Sequence, residues 1–189
     1  MSTWCSRKRC ITSSTTQRFV SRGHDAHLHI YIGAPAELEE RVLDSRLHLA
    51  IGHFPLRVPG LSYLPLYDEA LGLYCGRRHP LYGSKASNGR LLEEVRGCHI
   101  VVRGYMQQYD LEQLGVSKAA ATVENIEAAA ILIISGAYIG FLPVHFAEPS
   151  SLDLTSPFDV ITRRGVSPPP ILQAFLEDLN ACMHQPGLG

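Results

Sequence analysis

From residue 27 onward, apolar and polar positions repeat with periods that mark out successive elements. His27-Leu28-His29-Ile30-Tyr31-Ile32 sets an apolar residue at every second position among strand formers, which predicts a strand. Gly33-Ala34-Pro35 ends it, and Pro35 suits the first turn of a helix. Glu37, Glu39 and Glu40 load the positive end of that helix, Arg41 and Arg46 follow, and Leu38 and Val42 share one face. Leu47 to Gly52 reads as a buried strand. The unit predicts strand, helix, strand with parallel pairing and a right-handed crossover.

Pro55, Pro59 and Gly60 mark a loop, and Leu61 to Arg77 is β-compatible with a kink near Pro65. A polar loop spans Gly83 to Gly89, a short helix Arg90 to Val95, and a strand Cys98 to Val102. A further short helix is centred near Leu111, and Ala119 to Val123 reads as a strand. Glu124 to Ser135 is the clearest helix of the middle: Thr122 can cap it, Glu124 and Glu127 favour its first turn, and Gly136 can end it. Tyr138 to Leu142 is a strand stopped by Pro143, and Phe158 to Arg163 is another. After Ser167-Pro168 a final helix carries Leu172, Phe175, Leu176 and Leu179 on one stripe, extended by Cys182 or Met183. Alternating strands and helices predict an α/β fold with mainly parallel sheets.

Composition narrows the function classes. The 189 residues are 46% hydrophobic and 19% charged, which supports an ordinary globular core. A net charge of -1 gives no whole-chain attraction for nucleic acid or an anionic membrane. The five cysteines are odd in number and none form a C-x-x-C pair, so a reducing cytoplasm suits the chain better than a disulfide framework or a zinc site. Residues 1–24, rich in Ser, Thr and basic residues, read as a poorly ordered start without a secretory pattern. The apolar run Ala128 to Val144 is broken by glycines and Pro143 and is too short to cross a bilayer.

No nucleophile elbow, phosphate loop, dinucleotide fingerprint or H-E-x-x-H motif occurs. The nine histidines do not converge with carboxylates at ligand spacing and read as surface groups, so no metal or cofactor is expected. Asp68-Glu69 point to opposite faces of a strand, and Arg77-Arg78 and Arg163-Arg164 are too short for a nucleic-acid footprint.

What remains is a binding module. In α/β sheets ligands sit beyond the carboxyl ends of parallel strands, near helix N-termini. Three stretches qualify: Gly52-His53-Phe54, Arg103-Gly104-Tyr105 and Val123-Glu124-Asn125. Each also reads as a plain turn. Arg103 is the most informative, because a guanidinium pairs well with a carboxylate.

Leu47-His48-Leu49-Ala50-Ile51-Gly52, Leu66-Tyr67-Asp68-Glu69 and His79-Pro80-Leu81 resemble the effector domain of LysR-type regulators. So do Thr122 to Glu127, Ser135-Gly136 and Ile139-Gly140-Phe141-Leu142-Pro143. Order and spacing agree over about 17 to 148 and again from 157 to 183. The resemblance implies two lobes of the periplasmic-binding-protein type (type II): 25–77 plus 155–189 as lobe one, and 78–154 as lobe two. A small effector, often a carboxylate metabolite, would bind between them, with Pro143 joining the candidate contacts. The chain would act in transcription regulation rather than catalysis, in the cytoplasm, without contacting nucleic acid itself, and would form a homodimer through effector domains. The alternatives are a stand-alone solute-binding protein of the same fold and a small α/β enzyme.

There are departures from the family pattern. His48 stands where the family has Asp. The winged helix-turn-helix is absent upstream, as are the first strand of lobe one and most of its first helix, of which Gln17-Arg18-Phe19 resembles the tail. The run from Glu148 to Pro157 is shorter than in the family. A truncated chain is therefore expected, with backbone groups left unpaired on both neighbours of the missing strand.

Overall fold

The computed structural model of the chain describes residues 7–84, 88–144 and 153–183. In chain order the elements are α1 (Arg7–Ser21), α2 (Pro35–Leu43), β1 (Leu49–Gly52), β2 (Leu61–Cys75), α3 (Asn88–Val95), β3 (Val101–Arg103), a 3-10 turn (Gly104–Met106), α4 (Gln107–Leu114), β4 (Ala121–Val123), α5 (Ile126–Ile134), β5 (Ile139–Pro143), β6 (Asp153–Arg163) and α6 (Pro170–Met183). Residues 85–87 of the polar loop and residues 145–152 lie outside the described residues.

The chain forms two compact units. One comprises Met1–Gly33, Glu37–Glu69 and Pro157–Gly189, the other Ala34–Ala36 and Ala70–Ser156. The long strands β2 and β6 each run through both, because residues 61–75 and 153–163 straddle the two boundaries. The larger sheet has the order β1-β6-β2-β5 and the smaller one pairs β3 with β4. β1 pairs antiparallel with β6, β2 pairs antiparallel with β5, and β3 runs parallel to β4. A parallel bridge joins Ile100 to Ile139.

Each unit has its own core. In the first, Leu38 and Val42 of α2 pack with Ala50, Phe54, Leu61 and Ile161. That is the apolar face the helix pattern predicted, with Pro35 at its start. In the second, Leu73, Val95, Ile100, Val102, Leu114 and Phe141 pack on one side of the strands, and Tyr74, Val101, Ala129, Ile133 and Leu142 on another. Helix α5 therefore contacts β3 and β5 through Ala129, Ala130 and Ile133, while Ile131 and Ile134 point outward.

Three local expectations are corrected. His27 to Ile32 is not a strand: Ile30 and Ile32 are 72% and 83% exposed, and no described strand lies alongside to take its backbone bonds. Strand-forming side chains alone do not make a strand where the ladder is missing. The strand, helix, strand unit is thus reduced to α2 and β1, and β1 pairs with β6 instead.

Residues 1–24, read as poorly ordered, contain α1. Its intrinsic preference is weak, but tertiary contacts hold it. Phe19 is buried against Phe175, with ring centroids 5.4 Å apart, and Arg18 and Arg22 both reach Oδ1 of the buried Asp178 on α6, at 2.7 and 2.8 Å.

Strand β2 runs continuously from Leu61 to Cys75 through Pro65, and β5 pairs with its Leu71 to Cys75 end. Thr122 does not cap α5; the cap is Asn125, whose side-chain oxygen accepts from Ala128 N at 2.8 Å.

Candidate functional site

The candidate residues fall into both units. In the second, the parallel register sets Arg103 opposite Val123, so Gly104-Tyr105 and Glu124-Asn125 leave neighbouring strand ends together. Val123 is half-buried, and Glu124 and Asn125 are exposed. Asn125 spends its side-chain oxygen on the start of the helix, accepting from Ala128 N. A Cβ at Gly104 would lie 2.4 Å from Oε1 of Glu124, so a larger residue there would move that side chain. The Glu124 carboxylate thus lies against the backbone of the 3-10 turn.

Arg103 lies beneath this rim rather than on it. It is 3% exposed and makes three hydrogen bonds to Asp110: its backbone N donates to Oδ2 at 3.2 Å, Nε to Oδ2 at 3.2 Å, and Nη2 to Oδ1 at 2.6 Å. Burial pushes the guanidinium pKa down, but Asp110 outweighs it and holds Arg103 above its ordinary value. The guanidinium also lies 5.9 Å from the Tyr105 ring centroid. Asp110 sits in the first turn of α4, where a carboxylate also meets free backbone N–H groups. The sequence singled out Arg103 but missed its partner, because an Asp inside a polar helix carries no signal that its side chain turns inward.

Pro143 closes β5, buried and paired with Leu71. The first unit contributes the end of β1. Gly52 is buried opposite Asp159 of β6. Nδ1 of His53 lies 2.9 Å from the Pro157 carbonyl oxygen, which can only accept, so Nδ1 donates. Phe54 turns into the core at 3% exposure and stacks edge-on to Tyr63, so it is a support and not a rim contact. Beside it lie two residues that the sequence reading did not single out. Arg57 donates from Nη1 to Oδ2 of Asp159 at 2.9 Å, with the carboxylate buried and the guanidinium exposed. The signal for it was a cation on the loop just beyond a strand end.

Among the described residues no group of three or more His, Cys, Asp or Glu side chains could hold a metal ion. No described helix is long and apolar enough to cross a membrane. An apolar groove of about 250 Å³ in the first unit is lined by Leu64, Leu66, Leu176, Leu179 and Met183, among others, and by none of the candidate residues.

A family profile described as the LysR substrate binding domain matches residues 10–182. The chain belongs to the LysR substrate-binding domain family. The HTH-type transcriptional activator BauR of Pseudomonas aeruginosa is 32% identical over 171 residues, covering 82% of this chain and 55% of BauR. The chain therefore spans about half the length of that curated relative.

Solved LysR domains share the architecture. The Synechocystis PCC6803 CcmR regulatory domain in complex with 2-PG superposes with a TM-score of 0.76 at 18% identity, covering 95% of this chain and 94% of that one. The effector binding domain of QuiR in complex with shikimate gives 0.75 at 14% identity, covering 89% and 88%. At these identities the likeness is one of fold, and the fold is the α/β, type II periplasmic-binding-protein-like architecture of LysR effector domains.

Proposed function

We propose that this chain is the effector-sensing part of a LysR-type transcriptional regulator, binding a small metabolite through strand ends and helix starts to control transcription. The observation that carries the reading is the parallel register Arg103↔Val123, which brings Gly104, Tyr105, Glu124 and Asn125 to one rim over the buried Arg103–Asp110 pair. Such a rim recognises ligands through backbone N–H groups and an amide side chain; it has no nucleophile with an adjacent base, so it binds without turning its ligand over. Gly52 and His53 are proposed contacts in the first unit, and Val123 and Pro143 shape the rim in the second. The effector class is a carboxylate, like the shikimate held by QuiR.

A differential scanning fluorimetry screen of small metabolites tests this. A true effector stabilises the folded state by mass action, by about 2.7 kcal/mol at a concentration roughly a hundred times Kd. A screen in which no metabolite raises the melting temperature contradicts the reading.

The partner is a second copy of the chain. Ile131 and Ile134, one turn apart on α5, are 69% and 74% exposed, and such a paired apolar stripe is the kind of face that dimers bury. Light scattering after size exclusion should find a dimer that Ile131→Lys converts to a monomer; equal masses for the two proteins contradict it.

A further inference from the structure

We propose that the apolar groove between the start of β2 and α6 is a second ligand site, taking a neutral single-ring molecule whose one hydrogen-bond acceptor is received by the Tyr67 hydroxyl. The inference goes beyond the effector-binding reading, because the groove shares no residue with the strand-end rim. The groove has a volume of about 250 Å³. Leu64, Pro65 and Leu66 of β2 form one wall and Leu176, Leu179 and Met183 of α6 the other, so it lies wholly in the first unit. Leu64 is 60% exposed and Leu179 only 2%, so the groove runs from the surface to the core.

A second observation is the state of Tyr67. Leu66, Leu176, Leu179 and Met183 of the groove belong to the same apolar cluster as Tyr67 and Val160. The Tyr67 hydroxyl is buried and makes no hydrogen bond among the described residues. Its ring is held in place, stacked on Phe158 with centroids 5.1 Å apart and planes 5° from parallel. Burial, helped by the charge of Glu69, pushes its ionisation far above the ordinary tyrosine range, so the group remains an O–H donor. A buried donor without an acceptor is costly, and buried polar groups of folded proteins are nearly always paired.

The lining decides the ligand class. Among the described residues no charged side chain borders the groove, and Asn180 is the only polar one. A carboxylate or an ammonium group would lose its water there and gain no counter-ion, so the occupant is neutral. A cavity of about 150 Å³ takes up benzene, so this groove admits a single ring with a short substituent. Met183, the last residue of α6, has the flexible thioether chain best able to swing aside and open a path to the hydroxyl in the cluster. An acceptor on the substituent then satisfies Tyr67, which gives the site a preference that apolar contact alone does not.

The test is a titration of the full chain followed by methyl ¹H–¹³C NMR, with acetophenone, ethylbenzene and benzoate as probes, on the wild-type protein and Tyr67→Phe. Acetophenone carries a ring and one acceptor, ethylbenzene a similar shape without it, and benzoate a charge in its place. Acetophenone should shift the methyl signals of Leu176, Leu179 and Met183 saturably. Tyr67→Phe should weaken acetophenone about tenfold and leave ethylbenzene unchanged. The variant should melt no lower than the wild-type protein, because it removes a hydroxyl that the fold does not pair. Equal acetophenone affinity for the two proteins overturns the proposal, as does benzoate binding tighter than acetophenone at these methyls, or no saturable shift of them by acetophenone. A lower melting temperature for Tyr67→Phe overturns it too, by showing that the hydroxyl already has a partner. Each of these outcomes leaves the effector-binding reading intact, because that reading is followed at the rim amides of Gly104 and Asn125.

Discussion

Arg103 and Asp110, seven residues apart, close a two-point fork in which Nη2 to Oδ1 measures 2.6 Å and Nε to Oδ2 measures 3.2 Å. The pair ties the end of β3 to the first turn of α4 and so fixes the 3-10 turn that presents Gly104 and Tyr105. Removing one partner strands a charge in a site that is almost closed to water. Asp110→Ala and Arg103→Ala should each cost about 3–5 kcal/mol in urea unfolding. Replacing both by apolar residues should recover much of it, because the cost comes from the uncompensated charge. Native-like stability for either single variant contradicts this role. Any loss of ligand binding by Arg103→Ala then follows from a loosened rim.

Asn125 and Thr122 make a sharper contrast. Asn125 satisfies the Ala128 N–H at the start of α5, whereas Thr122 is exposed on β4. Asn125→Ala should destabilise by about 1 kcal/mol, and Thr122→Ala by no more than about 0.5 kcal/mol, in the same denaturant series. The opposite order would return the cap to Thr122.

Acid sensitivity follows from two groups with lowered pKa. At Asp178 burial pushes the carboxyl up, but the bonds from Arg22 and Arg18 outweigh it and hold it below the ordinary range. Burial pushes His79 down, and its Nδ1 accepts from Leu81 N, so the folded protein keeps the ring neutral. Both shifts have the same sign: the unfolded chain binds the proton more readily, so each contribution is complete above the unfolded pKa and is lost as pH falls through the folded one. The His79 contribution should begin to fade below about pH 6.5 and that of Asp178 below about pH 4. Melting temperatures measured against pH should show both limbs. His79→Gln should flatten the first and Asp178→Asn the second; limbs unchanged in these variants contradict the assignment.

The sequence was most legible where one side of an element faces a core. The Leu38 and Val42 face of α2, the strand ending at Gly52 and the Leu176 and Leu179 stripe of α6 all follow periodicity that burial dictates, whereas α5, apolar on nearly every side, leaves Ile131 and Ile134 exposed. It was illegible where the outcome depends on a distant partner. His27 to Ile32 has the side chains of a strand but no ladder to join, and α1 has the composition of a loose start yet is fastened by Asp178, more than 150 residues away. Arg103 was visible as a charge at a strand end; that Asp110 consumes it is a fact of side-chain direction, which spacing does not encode. For the same reason the Arg57–Asp159 pair was passed over: Tyr63 and Asp159 reach the guanidinium only after folding.

Two-dimensional ¹⁵N–¹H NMR, titrating the protein with the metabolite that most raises its melting temperature, addresses the effector site directly. Amide shifts should concentrate at His53, Gly104, Tyr105, Glu124 and Asn125 and leave α1 and α6 undisturbed. Shifts confined to α1 and α6, with those strand-end amides unmoved, would contradict the account.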